Sequence, residues 1–217
     1  MVSAGVLVGA GGRAKLARLV ARTFSLDPPE DVAYGYDDIA DGCMAALRAA
    51  GYRPGEDVFV SGADGTTGGA ELIQRGRLLA TSANVPQYMG ALLTTRLHDV
   101  MNGRKPRAAE RMMNWRSITM TKANVGGYLK RYVNNDGVDP FDYKRMSKVI
   151  HPSDWDPQAE LFPMNIDLEW GGIDKPSGWT YPAAYVKSRE GGEAEAVRQE
   201  YADHYKIDFF GPSPMKG

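Results

Sequence analysis

Residues 57–86, DVFVSGADGTTGGAELIQRGRLLATSANVP, decide the fold. The short apolar run Val58–Val60 is followed by serine and glycine, which indicates a buried strand. Residues 62–69 are rich in glycine and threonine and predict a loop, and residues 70–75 predict a short helix. Residues 78–83 form the next predicted strand, which ends shortly before a proline. The order strand, polar loop, helix, strand predicts an α/β fold.

Two polar side chains follow these two strands. Asp64 comes just after the first predicted strand, and Asn84 stands at the end of the second. Ligands of open α/β sheets bind outside the carboxyl ends of the strands. A carboxylate accepts several hydrogen bonds and an amide both donates and accepts, so the pair predicts a site for a polyhydroxy ligand. The alternative is that Asp64 only turns the chain beside Gly65, as Asp-Gly commonly does.

Further elements are predicted on both sides of this stretch. Asp37 or Asp38 is expected to cap a helix that begins at Ile39, because a carboxylate there accepts from free amides and opposes the helix dipole. Asn124 is expected to cap a helix in the same way. The remaining predicted elements are strands at residues 6–8, 32–35 and 112–121 and helices at residues 13–24, 86–102, 125–133 and 193–205.

The chain changes character after Asn134. Six prolines between residues 140 and 182 and several aromatic side chains are spread through the following residues. Disordered segments are usually poor in aromatic residues, so this part is predicted to be packed along a domain surface. Residues 211–217 are predicted to be a frayed tail.

An ordered set of motifs carries a resemblance to a known family. The motifs, within residues 12–128, are Tyr36-Asp37-Asp38-Ile39-Ala40-Asp41-Gly42, Ala45-Ala46-Leu47, Gly51, Gly62-Ala63-Asp64-Gly65-Thr66, Ile73, Gly76, Leu79-Ala80-Thr81, Asn84, Pro86, Met89-Gly90 and Thr121-Lys122-Ala123-Asn124-Val125. In this order and spacing they resemble the second lobe of the type 1 periplasmic sugar-binding proteins. These are the ribose- and galactose-type solute receptors of ABC transporters.

The resemblance implies a fold and a division of the chain. We expect an α/β, three-layer Rossmann-like lobe with a mainly parallel sheet in residues 1–133. Residues 134–217 are then an irregular and helical C-terminal extension packed on the lobe. In the resembled family the helix that begins near Pro86 packs on a first lobe, which should precede this chain. We therefore expect exposed apolar surface on residues 86–102.

The resemblance also implies a function. The chain is expected to be one lobe of a non-catalytic, cofactor-free solute-binding protein that takes a sugar or polyol and serves an ABC transporter permease in the periplasm. A single lobe lacks half of the cleft, so we expect weak or lost sugar binding. A missing first lobe or a second copy of the chain, as a homodimer, is the expected partner of the exposed helix.

Four residues are the candidate ligand contacts. Asp64 and Asn84 were derived above, and the resemblance adds Tyr36 and Asp37. In the resembled family an asparagine that contacts sugar stands where Tyr36 stands here. A phenol offers one hydroxyl and a stacking face, so the preferred ligand is expected to differ. Helix capping remains the alternative role of Asp37.

Two other functions stay open at this point. Residues 9–14, GAGGRA, fit the dinucleotide-binding pattern G-x-G-x-x-G/A between a predicted strand and helix, with Asp37 following the next predicted strand. This would suit a small nucleotide-dependent oxidoreductase. An effector-sensing lobe of a repressor shares the expected fold, but the near-neutral charge gives no support for DNA binding.

Composition excludes several other classes. The 217 residues are 43% apolar and 24% charged, with a net charge of −1, which is ordinary for a globular protein without nucleic acid or acidic membrane as partner. The single cysteine, Cys43, excludes an intramolecular disulfide and a thiolate zinc cluster. The histidines His98, His151 and His204 have no metal-binding spacing. The first eight residues lack the features of an export signal, which suggests a mature, trimmed or fragmentary form.

Overall fold

The computed structural model describes residues 31–33, 36–116 and 118–216. The strand predicted at residues 6–8, the helix predicted at residues 13–24 and the glycine-rich stretch 9–14 lie outside these residues. Internal contacts divide the chain into two units. Among the described residues, unit 1 comprises those up to Val85 together with 118–134, and unit 2 comprises 86–116 and 135–216.

Unit 1 contains a four-stranded sheet. Its strands in chain order are β1 (Asp31–Ala33), β2 (Phe59–Asp64), β3 (Ala80–Ala83) and β5 (Ile118–Thr121), and this is also their order across the sheet. β1, β2 and β3 run parallel, and β5 pairs antiparallel with β3. Three parallel strands and one antiparallel edge strand confirm the predicted α/β fold with a mainly parallel sheet.

Three helices within the described part of unit 1 accompany this sheet: α1 (Asp37–Ala49), α2 (Thr67–Gln74) and α4 (Val125–Tyr128), which continues as a π-helical turn to Val133. α1 turns its small and apolar residues inward, and Cys43, Met44 and Leu47 are almost completely buried. They join Val58 and Val60 of the β2 region in the core, as the predicted buried strand required. Burial of such side chains stabilises the unit by about 1.5–3 kcal/mol each.

Several predicted boundaries were wrong. β2 continues through the residues predicted as a loop and ends only at Asp64, and α2 begins earlier than predicted, at Thr67. The strand predicted over residues 112–121 is two strands in separate sheets, β4 (Met113–Trp115) and β5. Asn124 makes no side-chain cap, because its Oδ1 accepts from the Thr121 amide at 2.8 Å.

Unit 2 is built from helices, loops and a small sheet. Its elements are α3 (Pro86–Met101), a 3-10 turn (Ala109–Arg111), β4, β6 (Leu161–Pro163), α5 (Ile166–Trp170), α6 (Ala183–Glu190) and α7 (Glu193–His204). β4 and β6 pair antiparallel. α3 and α7 confirm the helices predicted from the apolar spacing and from Pro86, which suits a first helical position. The predicted boundary between residues 133 and 134 stays a prediction, because contact units do not show which part folds alone.

Aromatic packing forms one core of unit 2. The Tyr88 ring lies 5.5 Å from the Phe141 ring, 5.8 Å from Trp115 and 6.2 Å from Phe209, measured between centroids. The Tyr88 hydroxyl donates to the Pro157 carbonyl at 2.8 Å, so its polar end is satisfied inside the core. Residues 134–217 thus supply packed aromatic side chains, as their composition predicted.

The tail is ordered further than predicted. Ser213 is buried, and its hydroxyl donates to the Asp139 carbonyl at 2.5 Å. Its oxygen also accepts from the Met215 amide at 3.0 Å. The frayed tail predicted at residues 211–217 is therefore packed at Ser213, which the high proline and glycine content of this stretch did not indicate.

An ionic network around Glu110 forms a second core of unit 2. The Glu110 carboxylate is buried and accepts from Lys148 at 2.9 Å, from the Arg107 amide at 2.9 Å and from Arg104. Burial alone would raise the pKa of Glu110, but these hydrogen bonds and the Lys148 charge hold the pKa well below its usual range. Burial lowers the pKa of Lys148, whose ammonium lies 3.8 Å from the Trp155 ring centroid.

Replacing glycine by alanine at two adjacent positions of α2 should have opposite effects. A Cβ at Gly69 would stand 2.3 Å from the Asp37 Oδ2, whereas the nearest atom to a Cβ at Gly68 is 3.9 Å away. We expect Gly69→Ala to lower the free energy of unfolding by about 1–3 kcal/mol through overpacking. Gly68→Ala should raise it by up to about 1 kcal/mol through helix propensity. Urea unfolding of both variants tests this, and equal effects would contradict the packing.

Glu110→Gln should destabilise unit 2 by about 3–5 kcal/mol at neutral pH, because it removes the buried charge that Arg104, Arg107 and Lys148 share and leaves only Glu200 to pair with Arg107 and Lys148. The folded-state pKa of Glu110 is depressed, so its contribution is present above the unfolded pKa of about 4.3 and is lost as the pH falls below it. Glu195→Gln is the control, since Glu195 pairs with Arg198 on the surface. Unfolding measured from pH 7 to pH 3 should show a smaller pH dependence in Glu110→Gln only.

Candidate functional site

The carboxyl ends of β2 and β3 bring two predicted site residues together. Asp64 is the last residue of β2 and pairs in register with Ala83, the last residue of β3. The Asn84 amide donates to the Asp64 carbonyl at 2.9 Å, and the Asn84 side chain donates to the Asp64 Oδ1 at 3.3 Å. Asn84 is exposed and Asp64 half-buried, so both side chains reach solvent at the same edge of the sheet.

The backbone at Asp64 is unusual for a residue with a side chain. Its φ is 98°, in the left-handed region, and Gly65 follows with a φ of 68°. A Cβ at Gly65 would stand 2.5 Å from the Ala83 Cβ, so only glycine fits there. Conformations of this kind cost on the order of 1–3 kcal/mol and cluster at functional sites. The chain does turn at Asp64-Gly65, as the alternative interpretation required, but it turns with the carboxylate held beside Asn84.

Asp37 is buried, and its carboxylate connects the residues that follow β2 to β3 by hydrogen bonds. Its Oδ2 accepts from the Thr66 amide at 2.7 Å and from the Thr66 hydroxyl at 3.1 Å, and its Oδ1 accepts from the Thr81 hydroxyl at 2.6 Å. The residue is 1% exposed. The predicted capping role was wrong, because α1 already begins at Asp37 and Tyr36, its N-cap residue, makes no side-chain cap. A contact of Asp37 with a ligand stays a prediction.

The glycines around Asp37 explain how a carboxylate fits into this core. A Cβ at Gly62 would stand 2.3 Å from the Asp37 Oδ1, on the side opposite to the close approach at Gly69. The carboxylate therefore occupies space that a side chain at Gly62 or Gly69 would fill. Thr66 in turn caps α2, because its hydroxyl oxygen accepts from the Gly69 amide at 3.0 Å. One buried carboxylate thereby links the start of α1, the start of α2 and β3.

Two tyrosines flank the edge in different ways. Tyr36 is 58% exposed and presents its ring to solvent directly before α1. Tyr128 is buried, and its hydroxyl donates to the Gly65 carbonyl at 2.8 Å. Burial raises the pKa of Tyr128, and the nearby Asp37 charge adds to this rise. Tyr128 therefore stays neutral near pH 7 and supports the turn after Asp64, whereas the Tyr36 ring is exposed.

Sequence reasoning found part of this arrangement. It placed Asp64 and Asn84 at one edge, and they lie there together. It missed Thr66, Thr81 and Tyr128. Threonine is a favoured residue at the N-cap position directly before a helix, so Thr66 could have been found. Neither Thr81 nor Tyr128 carries such a local signal, since each acts on a residue far away in the sequence.

The chemistry that this edge offers is hydrogen bonding. Asp64 supplies carboxylate oxygens that accept from hydroxyls, and Asn84 supplies a donor and an acceptor. No group of three histidine, cysteine, aspartate or glutamate side chains suited to a metal ion occurs within the described residues. The same part of the chain contains no helix with the length and apolar character needed to cross a membrane.

Comparison with known proteins finds similarity over part of the chain. No protein-family model matches the chain. The ribose import binding protein of Escherichia coli (strain K12) is 38% identical over 72 residues, which are 33% of this chain and 23% of that protein. A periplasmic sugar-binding protein from Pseudomonas fluorescens shares the fold with a TM-score of 0.54 and 24% identity, over 66% of this chain and 44% of that one. Part of this chain is similar to the type 1 periplasmic sugar-binding proteins.

Another solved structure is similar at a lower level. The periplasmic binding protein component of the arabinose ABC transporter from Shewanella sp. ANA-3, bound to α- and β-L-arabinofuranose, matches with a TM-score of 0.49 and 20% identity. The match covers 57% of this chain and 41% of that protein. The chain thus matches less than half the length of each of these type 1 periplasmic sugar-binding proteins. The predicted resemblance to this family over part of the chain is confirmed.

Asp37→Asn tests the buried carboxylate with a nearly isosteric change. An amide nitrogen cannot accept from the Thr66 amide or the Thr81 hydroxyl, so one buried donor loses its partner. We expect the free energy of unfolding to fall by about 1–3 kcal/mol. Asp38→Asn is the matched control, because Asp38 is the exposed neighbour in the same helical turn. Equal denaturant midpoints for the two variants would contradict the role assigned to Asp37.

Proposed function

We propose that this chain is one lobe of the solute-binding component of a bacterial ABC-type importer for a sugar or polyol, and that it has no catalytic activity. The observation that carries the proposal is the pairing of Asp64 and Asn84 at the carboxyl edge of a parallel sheet. This is where α/β proteins bind ligands. The sequence similarity to a ribose import binding protein supports a sugar as the ligand class.

The roles of the four candidate residues differ. Asp64 accepts hydrogen bonds from ligand hydroxyls, and Asn84 accepts and donates next to it. Tyr36 covers one face of the ligand with its exposed ring and can add one hydrogen bond. Asp37 accepts hydrogen bonds from the Thr66 and Thr81 hydroxyls and so positions the edge.

The remaining parts of the proposal follow from the relatives. A solute-binding protein of this kind delivers its ligand to a membrane permease, and the relatives are named as periplasmic proteins or as import proteins. We therefore assign the chain to the periplasm, with a permease as its partner. One lobe covers only one side of a ligand, so affinity should be far below that of a closed two-lobed cleft.

The proposal is tested by titrating the chain with ribose, galactose and myo-inositol in ligand-observed NMR. We expect binding in the millimolar range to at least one of them. Asp64→Ala and Asn84→Ala should each weaken it at least about fivefold, because each removes a hydrogen-bonding partner of the ligand. Asp38→Asn is the control and should bind as the unchanged chain does.

Three results would contradict different parts of the proposal. Binding that Asp64→Ala and Asn84→Ala leave unchanged would place the site elsewhere. Micromolar affinity of the chain alone would contradict an open, one-sided site. Absence of binding even after a first lobe from a type 1 periplasmic sugar-binding protein is added would contradict the function. Circular dichroism of each variant shows whether a loss of binding reflects a loss of folding.

A further inference from the structure

α3 presents an apolar face to solvent. Its exposed large side chains are Met89, Leu93, Leu97, Val100 and Met101, with exposed fractions from 40% to 77%. At 100° per residue they lie within about 120° of the helix circumference, so they form one stripe. We call this stripe the α3 face. An apolar patch of this kind usually marks an interaction site.

The α3 face carries no formal charge, because both charged residues of the helix point inward. The Arg96 guanidinium donates to the Glu110 carbonyl at 3.1 Å and to the Tyr201 hydroxyl at 3.3 Å. Asp99 is 3% exposed and accepts from the Lys148 amide at 2.9 Å and from the Ser147 hydroxyl. The outward side of the helix is therefore left with apolar and uncharged groups.

The inner contacts also hold the α3 face in place before any partner arrives. Tyr88, Ala91, Thr95 and Asp99 are buried along the opposite side of the helix. A helix fixed in this way loses little conformational freedom when it associates. Gly90, at the edge of the stripe, has no atom within 4 Å of the position of a Cβ, which leaves room for another backbone to approach.

We propose that the α3 face binds the same face of a second copy of this chain. A twofold interface needs a surface that is complementary to itself, and an uncharged apolar stripe meets this condition without like-charge repulsion. The net charge of −1 adds almost no long-range repulsion between two copies. The stripe lacks the hydrogen-bonding groups that a sugar requires and the positive charge that nucleic acid requires.

The two helices should pack antiparallel across the twofold axis. Antiparallel packing sets the dipole of one helix against that of the other. It also places the two Leu93 and Leu97 pairs near the centre of the contact, because these residues lie near the middle of α3.

The size of the α3 face sets the strength of the dimer. The helix has 16 residues and is about 24 Å long. A pair of such helices covers less than the ~800 Å² per partner of a standard stable interface. We therefore expect a weak, reversible dimer rather than an obligate one. This inference goes beyond the proposed function and does not depend on it.

Sedimentation velocity of the full chain from about 1 to about 500 μM tests the proposal, since a weak interface dissociates within this range. We expect the sedimentation coefficient to rise with concentration from the monomer to the dimer value. Leu93→Glu and Leu97→Glu should each raise the dissociation constant at least tenfold, because each places a charge in the apolar contact. Leu168→Glu is the matched control, since Leu168 is 75% exposed on a different helix of unit 2.

The outcomes separate the possible occupants of the α3 face. A monomer at every concentration overturns the proposal, and so does a dimer that Leu93→Glu and Leu168→Glu weaken equally. A third outcome has the chain alone monomeric, while an added first lobe from a type 1 periplasmic sugar-binding protein binds it and Leu93→Glu abolishes this binding. In that case the α3 face binds the first lobe and not a second copy of the chain, and the proposal is wrong. Circular dichroism at low concentration confirms that each variant is folded.

Discussion

The buried carboxylate of Asp37 is the constraint on which the candidate site depends. It accepts from Thr66 on one oxygen and from Thr81 on the other, and so fixes three chain segments that are distant in sequence. A buried carboxylate is tolerable only when its lone pairs are occupied, which is the case here. Because Thr66 lies two residues after Asp64 and Thr81 three before Asn84, the relative position of the Asp64 and Asn84 side chains depends on this one carboxylate.

In unit 2 the buried carboxylate of Glu110 is stabilised by cations rather than by hydroxyl and amide groups alone. Glu110 is surrounded by cations, and the Lys148 ammonium lies over the rings of Trp155 and Tyr201, 3.8 and 4.2 Å from their centroids. An ion network of this kind adds little net stability but makes any wrong arrangement costly, because each charge would lose its partner. It also anchors α3 through Arg96, which donates to the Glu110 carbonyl. The uncharged outer side of α3 is therefore a consequence of the charged interior.

The sequence predicted the features that depend on local pattern. Apolar runs and glycine breaks gave the α/β order of unit 1, and Pro86 with helical spacing gave α3 almost to the residue. The end of β2 could not be predicted, since Ser61 to Asp64 look like a loop and belong to the strand through pairing with residues distant in sequence, on β3 and, for Ser61, also on β1. The break after Trp115 was missed for a related reason: one apolar run can supply strands to two sheets, and tertiary pairing decides which.

The site was predicted where strand order alone determines it and missed where a distant partner does. Asp64 and Asn84 meet because both follow parallel neighbouring strands. Asp37 looked like a helix cap from its neighbours, yet its partners lie 29 and 44 residues away. No local pattern encodes such a pairing, whereas the two glycines that make room for it are visible in sequence only as turn residues.

The left-handed backbone at Asp64 has a consequence for how such chains diverge. Glycine adopts a φ of 98° without steric conflict, whereas almost every other side chain does not. A change to glycine at this position would relieve the conflict and delete the carboxylate in a single step. Selection for stability of the fold alone would therefore favour glycine over aspartate at this position. Its persistence in a lineage would indicate that the carboxylate is kept for a reason other than stability.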